Sequence, residues 1–284
     1  MNVADGDPLA DAPDARFVIP RERLPEGFAE RLLAHLAEPS DTPAEPRPAA
    51  TAVLLRDGAD GPEVLLMRRH RGAAFVPGAW VFPGGRVDRA DGDERALAGA
   101  GEVPREPRPS FRVAAAREVF EETGILLARR PDGGWAPDAS VDPELEAWRE
   151  RLMAGSHSLA DLLEGESFRL EPDALVHAAH WITPEAEPRR YDTHFFLAEL
   201  PGGGTARSDA REMTDLTWVT PRSALERFTR GELPMVFPTV RTLEQLADFG
   251  SVADALAAFR ERIVRAILPR LVSTPEGVGI VVEE

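Results

Sequence analysis

Arg117-Glu118-Val119-Phe120-Glu121-Glu122-Thr123-Gly124-Ile125 is the stretch on which the reading of this chain turns. A helix advances about 100° per residue, so Glu121 lies about 60° to one side of Glu118 and Glu122 about 40° to the other. Three carboxylates therefore share an arc of about 100°, while Val113, Ala116 and Phe120 gather on a different side. The spacing predicts a helix from Phe111 to Thr123, with Ser110 as its N-cap and Gly124 just past its C-terminus. Such crowding is unfavourable on its own. Like charges four residues apart cost a few tenths of a kcal/mol, and anions near a helix C-terminus oppose its dipole. A divalent cation reverses both penalties, and hard oxygen donors suit Mg²⁺ or Mn²⁺.

Upstream, Thr51 to Arg56 and Glu63 to Arg69 read as two strands joined through Asp57-Gly58 and Asp60-Gly61, a hairpin signal. Trp80 to Phe82 reads as a third, running into Pro83-Gly84-Gly85, and a small helix is expected at Glu94 to Ala98. Downstream, 142–167 carries one or two helices. Strands return at Leu175 to Ile182, Asp192 to Leu200 and Asp215 to Val219. Helices follow at Ser223 to Thr229, Val240 to Asp248 and Val252 to Ile267, with Gly277 to Val282 as a last edge strand.

The pattern Arg-Glu-apolar-x-Glu-Glu-x-Gly-apolar resembles the second half of the Nudix box. Its five fixed residues arise by chance in about one of several thousand chains this size. In the first half, Gly85 matches the opening glycine and Asp91 stands at the glutamate position. Twenty-five residues separate Asp91 from Arg117, where the family pattern has about seven, so the box is split by an insertion. The split box, the lead-in Leu65 to Asp91 (LLMRRHRGAAFVPGAWVFPGGRVDRAD) and the stretch His180 to Pro201 (HWITPEAEPRRYDTHFFLAELP) resemble the acyl-coenzyme A diphosphatase-like Nudix branch. The resemblance implies an α/β fold, a Nudix-type α/β/α sandwich with a mixed sheet, plus C-terminal helices. It implies that Glu118, Glu121 and Glu122 hold the metal, Arg117 orients a glutamate, and Gly84 and Gly85, among the substrate-binding residues, let the loop pass close to the helix and metal. A fourth carboxylate before a tryptophan-bearing strand falls on Glu212, read equally as an exposed loop acid. Asp91 reads as structural rather than catalytic.

Arg68, Arg69 and Arg71, before the Phe75-Val76-Pro77-Gly78 turn, are candidates for substrate phosphates or a solvated cluster. Arg190, before Tyr191-Asp192, is a second candidate contact. The implied activity is metal-dependent hydrolysis of a diphosphate linkage in a small nucleotide-like molecule, coenzyme A or acyl-coenzyme A first. A nucleotide-sugar or ADP-ribose pyrophosphatase, or a non-catalytic Nudix-fold sensor, stays open as an alternative.

The rest of the chain constrains the class of function. The formal net charge is −16, and all 33 basic residues are arginine. That sign opposes broad attraction to nucleic acid. There is no cysteine, which excludes disulfides and thiolate chemistry. No membrane span or secretion signal is expected, and a cytoplasmic home and a possible homodimer are. The expected organisation is a mobile N-terminal arm over 1–48 with a possible short helix from Pro25 to Glu38. A Nudix domain then covers 49–230, with insertions at 92–109 and 142–167. A helical extension over 231–284 packs on that domain.

Overall fold

The computed structural model describes residues 17–20, 32–33, 35–36, 42–70, 72, 77–97, 107–203, 206 and 213–282. The chain divides into two compact units, one of residues 48–179 with 193–264, the other of residues 1–47, 180–192 and 265–284.

In the larger unit a hairpin forms where the Asp/Gly pairs predicted it. With β1 at Phe17–Pro20 in the smaller unit, strand β2 (Arg47–Gly58) runs antiparallel to β3 (Gly61–Arg69). Gly61 closes the turn at φ +110°, a conformation that favours glycine. Beyond Leu55↔Val64 the two strands part. The chain returns between them as β4 (Trp80–Val81), bonded to β3, and β5 (Gly84–Arg86), bonded to β2. Helix α1 (Glu94–Leu97) and helix α2 (Pro109–Thr123) follow. The short pair β6 (Ala128–Arg129) and β7 (Arg169–Leu170) brackets α3 (Pro143–Met153) and α4 (Leu159–Gly165). With β8 (Val176–Ile182), β9 (Tyr191–Glu199) and β10 (Met213–Val219), the main sheet runs β10-β3-β2-β9-β8. Helices α5 (Pro221–Thr229), α6 (Phe237–Leu246) and α7 (Val252–Arg260) complete the unit.

Strands β2 and β3 are buried on both faces, which requires a layer on each side. Ala52, Leu54, Leu65 and Met67 belong to one core cluster with Val113, Ala116, Val119 and Phe120 of α2. Val53, Leu55, Val64 and Leu66 point the other way and are fully buried too. The Val252 amide at the start of α7 donates to Asp57 Oδ1 on β2 at 2.8 Å. This is the α/β/α arrangement.

Several local expectations change. Ser110 is not the N-cap of α2: the helix starts at Pro109, whose fixed φ and missing N–H suit the first helical position. The helix at Val252 stops at Arg260, and Ala266–Ile267 is instead strand β11, parallel to His180–Trp181 of β8. Helical spacing there yields to strand pairing, and Ile263 is left 87% exposed. The tail is not an edge strand. β13 (Gly277–Val281) lies between β1 and β12 (Arg270–Thr274), antiparallel to both. The arm over 1–48 thus contributes a strand. Of Pro25 to Glu38 only Leu32, Leu33, His35 and Leu36 are described, and they are helical. Among the described residues no helix is long and apolar enough to cross a membrane.

Candidate active site

Helix α2 is set up to present acid from inside the fold. From Phe111 to Thr123 every residue is buried except Glu118 and Glu121, which are partly exposed. A solvated acidic stripe on an amphipathic helix would look different, with a whole face in water. Here the glutamates stand in a gap between the helix and the β4–β5 segment, and that gap is set by glycine. A Cβ on Gly85 would sit 2.4 Å from Glu118 Oε1. A Cβ on Gly84 would sit 2.5 Å from the Ala50 carbonyl oxygen and 2.8 Å from Thr51 Cα. Pairing of β5 with Ala50 and Thr51 leaves no other place for the chain. The Gly84 amide donates to Glu122 Oε2 at 3.0 Å. Gly85 and α2 are therefore side by side despite the insertion after Asp91. The described start of that insertion folds back. Arg95 pairs with Asp93, and with Asp161 and Glu164 of α4. Residues 98–106 lie outside the described part.

Arg117 organises the acids around one guanidinium. Its Nε and Nη2 donate to the two oxygens of Asp91 at 2.9 and 3.0 Å. Its Nη1 donates to Glu118 Oε1 at 2.9 Å and Glu121 Oε2 at 3.0 Å, and Nη2 also reaches the Arg86 carbonyl at 2.9 Å. Asp91 is 1% exposed at its side chain and also accepts from the Asp88 amide at 2.7 Å. It thus lies behind the arginine, away from solvent.

The group concentrates negative charge. Arg117 bonds three carboxylates, those of Asp91, Glu118 and Glu121, and a fourth, Glu122, accepts from the Gly84 amide. Burial pushes the Glu118 carboxyl up to about 7; Arg117 pulls it back, while Glu121 and Asp91 add to the rise. Burial raises Glu121 as well, against the pull of Arg117. Burial works against the charge of Arg117, yet its bonds to Asp91 and the fields of Glu118, Asp91 and Glu121 hold its pKa well above the ordinary value. Glu118 Oε1, Glu121 Oε2 and Glu122 Oε2 are engaged by nitrogen donors, and this cluster's all-oxygen donor set fits a hard divalent cation.

A pH dependence follows. Glu118 is protonated more readily in the folded chain, about 7 against an ordinary 4.5. Its contribution to stability is complete below the unfolded pKa and is lost as pH rises through the folded one. In chelator, the wild type should lose on the order of 3 kcal/mol relative to Glu118→Gln between about pH 4.5 and 7. Urea unfolding of both proteins at the two ends of that window measures it. Parallel curves would rule out the raised carboxyl.

The remaining sequence candidates separate. Side chains alternate along β3, and Leu65 and Met67 lie in the cluster with α2. Arg69 shares their face. Arg68 points to the opposite one, where its Nη1 lies 3.8 Å from Asp215 Oδ2. Arg68 and Arg69 therefore lie on opposite faces of β3, and Arg71 lies outside the described residues, as does Glu212. Arg190 is buried, with Nε donating to the Thr183 carbonyl at 3.0 Å and Nη1 to the Ala44 carbonyl at 2.8 Å. Sequence reading missed Arg149, whose Nε donates to the Glu121 carbonyl at 2.9 Å. On α3 it looks like any other arginine of a charged helix, so no local signal marks it.

The family model described as the NUDT19 Nudix domain matches residues 94–246. The chain is 29% identical over 237 residues to the acyl-coenzyme A diphosphatase NUDT19 of Homo sapiens, covering 69% of this chain and 63% of that protein. It is 30% identical over 262 residues to the protein of the same name from Gallus gallus, covering 72% and 69%. A crystal structure of a Nudix hydrolase from Alicyclobacillus acidocaldarius superposes with a TM-score of 0.66 at 30% identity, over 75% of this chain and 96% of that one. The chain thus spans somewhat under two thirds of the human relative's length.

Proposed function

The chain belongs to the Nudix hydrolase family, in the NUDT19 branch, and on that premise we propose that it hydrolyses the diphosphate linkage of coenzyme A or an acyl-coenzyme A with Mg²⁺ or Mn²⁺. The observation that carries this reading is the cluster of Glu118, Glu121 and Glu122, held by Arg117 on one side and by the Gly84 amide on the other. A protein that only bound a nucleotide would have no use for so many carboxylates beside a diphosphate.

Glu118, Glu121 and Glu122 would hold the metal in this proposal, and a bound ion would supply Lewis acidity toward the diphosphate and the attacking water. The chain's residues do the rest. Arg117 fixes two of the acids with one nitrogen, and the Gly84–Gly85 backbone keeps side chains out of the gap. A carboxylate of the cluster takes the proton of the attacking water. One P–O anhydride bond breaks and one P–O bond to the water oxygen forms. From coenzyme A the products are an adenosine bisphosphate and a phosphopantetheine. Arg69, on the α2 face of β3, would meet a substrate phosphate in this proposal.

The coenzyme A assignment draws on the names of the relatives and on the split box. It is tested by comparing kcat/KM for coenzyme A, dephospho-coenzyme A, ADP-ribose and NADH under one metal condition. Coenzyme A is expected to lead, and to exceed its dephospho form because the third phosphate can add a charge-assisted contact of about 1.5–3 kcal/mol. A preference for ADP-ribose or NADH would remove coenzyme A and leave a pyrophosphatase. Equal rates on the two coenzyme A forms would remove only the arginine contact.

A further inference from the structure

The three glutamates sit in the last two turns of α2, and those turns are held from outside the helix. The final four carbonyls of any helix lack partners within it and form its negative pole. In α2 the Gly124 amide, in the left-handed conformation at φ 77°, takes the Phe120 carbonyl at 2.9 Å. Thr123 Oγ1 takes the Val119 carbonyl at 2.6 Å. The next carbonyl, that of Glu121, accepts from Arg149 Nε at 2.9 Å. Arg149 comes from α3, in the 142–167 insertion, and its side chain is only 6% exposed, with Nη1 3.5 Å from Glu146 Oε2. Glu121 is therefore gripped at two points: its carboxylate by Arg117 and its main-chain oxygen by Arg149.

We propose that Arg149 is a positioning residue, which by docking on the Glu121 carbonyl sets where the last turn of α2, and with it Glu121 and Glu122, stands relative to Gly84. The inference rests on the glutamates being metal ligands. A small divalent cation tolerates little deviation in its oxygen ligands, so the groups that orient those ligands tune its binding. An anchored final turn supplies that constraint; a frayed one would not. The insertion thus serves the site through the main chain of α2.

Position and charge make opposite predictions for the same variant, which allows a clean test. The guanidinium is a cation near a cation site, so its removal on electrostatic grounds alone would tighten metal binding. If it positions the ligands, removal weakens binding. A cleft of about 440 Å³, lined by Thr123, Gly124, Asp142, Glu146 and Arg149 among others, lies beside the contact. Water can reach the Glu121 carbonyl there once the arginine is shortened, so Arg149→Gln should fold.

The experiment is Mn²⁺ titration of the full chain, reading free Mn²⁺ by electron paramagnetic resonance, with thermal unfolding in chelator and steady-state kinetics alongside. For Arg149→Gln we expect the Mn²⁺ Kd to rise about tenfold and kcat to fall, with KM at saturating metal within about twofold. Arg149→Lys, which keeps a donor and the charge, should fall between, and it decides the matter if the glutamine variant does not fold. An unchanged or tighter Mn²⁺ Kd in the variant, even with a lower Tm, overturns the positioning role and leaves the metal reading intact. A wild type that binds no Mn²⁺ overturns both.

Discussion

Glu121→Gln and Glu122→Gln should each lower kcat by about a thousandfold or more while the protein stays folded. The size follows from the chemistry at stake: a Lewis acid contributes several kcal/mol to the transition state, and about 4 kcal/mol is three powers of ten. The structure explains why the change is confined to chemistry. A glutamine at 122 can still accept from the Gly84 amide through its oxygen, so the β5 contact at 3.0 Å survives. A glutamine at 121 can still accept from Arg117. What is lost is one negative charge from a cluster that already holds too many, so without metal the variants should melt no lower than the wild type. The diagnostic combination is a Tm equal or higher in chelator, a smaller rise in Tm on adding Mg²⁺, and collapsed turnover at any Mg²⁺ concentration. Near wild-type kcat at saturating Mg²⁺ would show that the glutamates are not ligands.

That prediction was within reach of the sequence because the helical repeat is local. Three glutamates at 118, 121 and 122 share a face in any helix, and Gly124 marks its end; nothing distant is needed. The nearness of Gly85 to Glu118 was legible only through the family pattern, since the intervening insertion hides it from any spacing argument. The face each β3 arginine takes was also within reach. Strand alternation from Leu65 and Met67 puts Arg69 with the core beside α2 and Arg68 on the far side, although grouping them by proximity in sequence suggests one patch. Other features had no local trace. Phe17–Pro20 becomes a strand because Gly277–Ile280 lies beside it, and a four-residue apolar run does not announce a partner at the other end of the chain. Ala266–Ile267 likewise leaves a helical pattern for a parallel pairing with β8. Arg190 and Arg149 look alike in sequence, as arginines in polar surroundings. Burial against main-chain carbonyls sets both apart from surface arginines, and only the folded chain shows those contacts.

Asp91 should show the reverse of the glutamate pattern. Asp91→Asn and Arg117→Met are each expected to cost about 3–5 kcal/mol, the range for removing one partner of a buried ion pair. The pair is buried on both sides, 1% and 10% exposed at the side chains, and bidentate at 2.9 and 3.0 Å. Breaking it leaves a guanidinium facing a neutral amide, or a carboxylate facing a methyl. Because each single variant carries the cost of the orphaned partner, the double variant should be less destabilised than the sum, with a coupling of about 1–3 kcal/mol in the cycle. The two singles should then part company in activity. In Asp91→Asn, Arg117 keeps its bonds to Glu118 Oε1 and Glu121 Oε2, so kcat at saturating metal should stay within about tenfold of wild type. Arg117→Met frees both glutamates and should lose far more. Urea unfolding for the cycle and steady-state kinetics for the singles provide the readings. If Asp91→Asn abolished turnover with its stability unchanged, Asp91 would be part of the chemistry instead of the brace behind it.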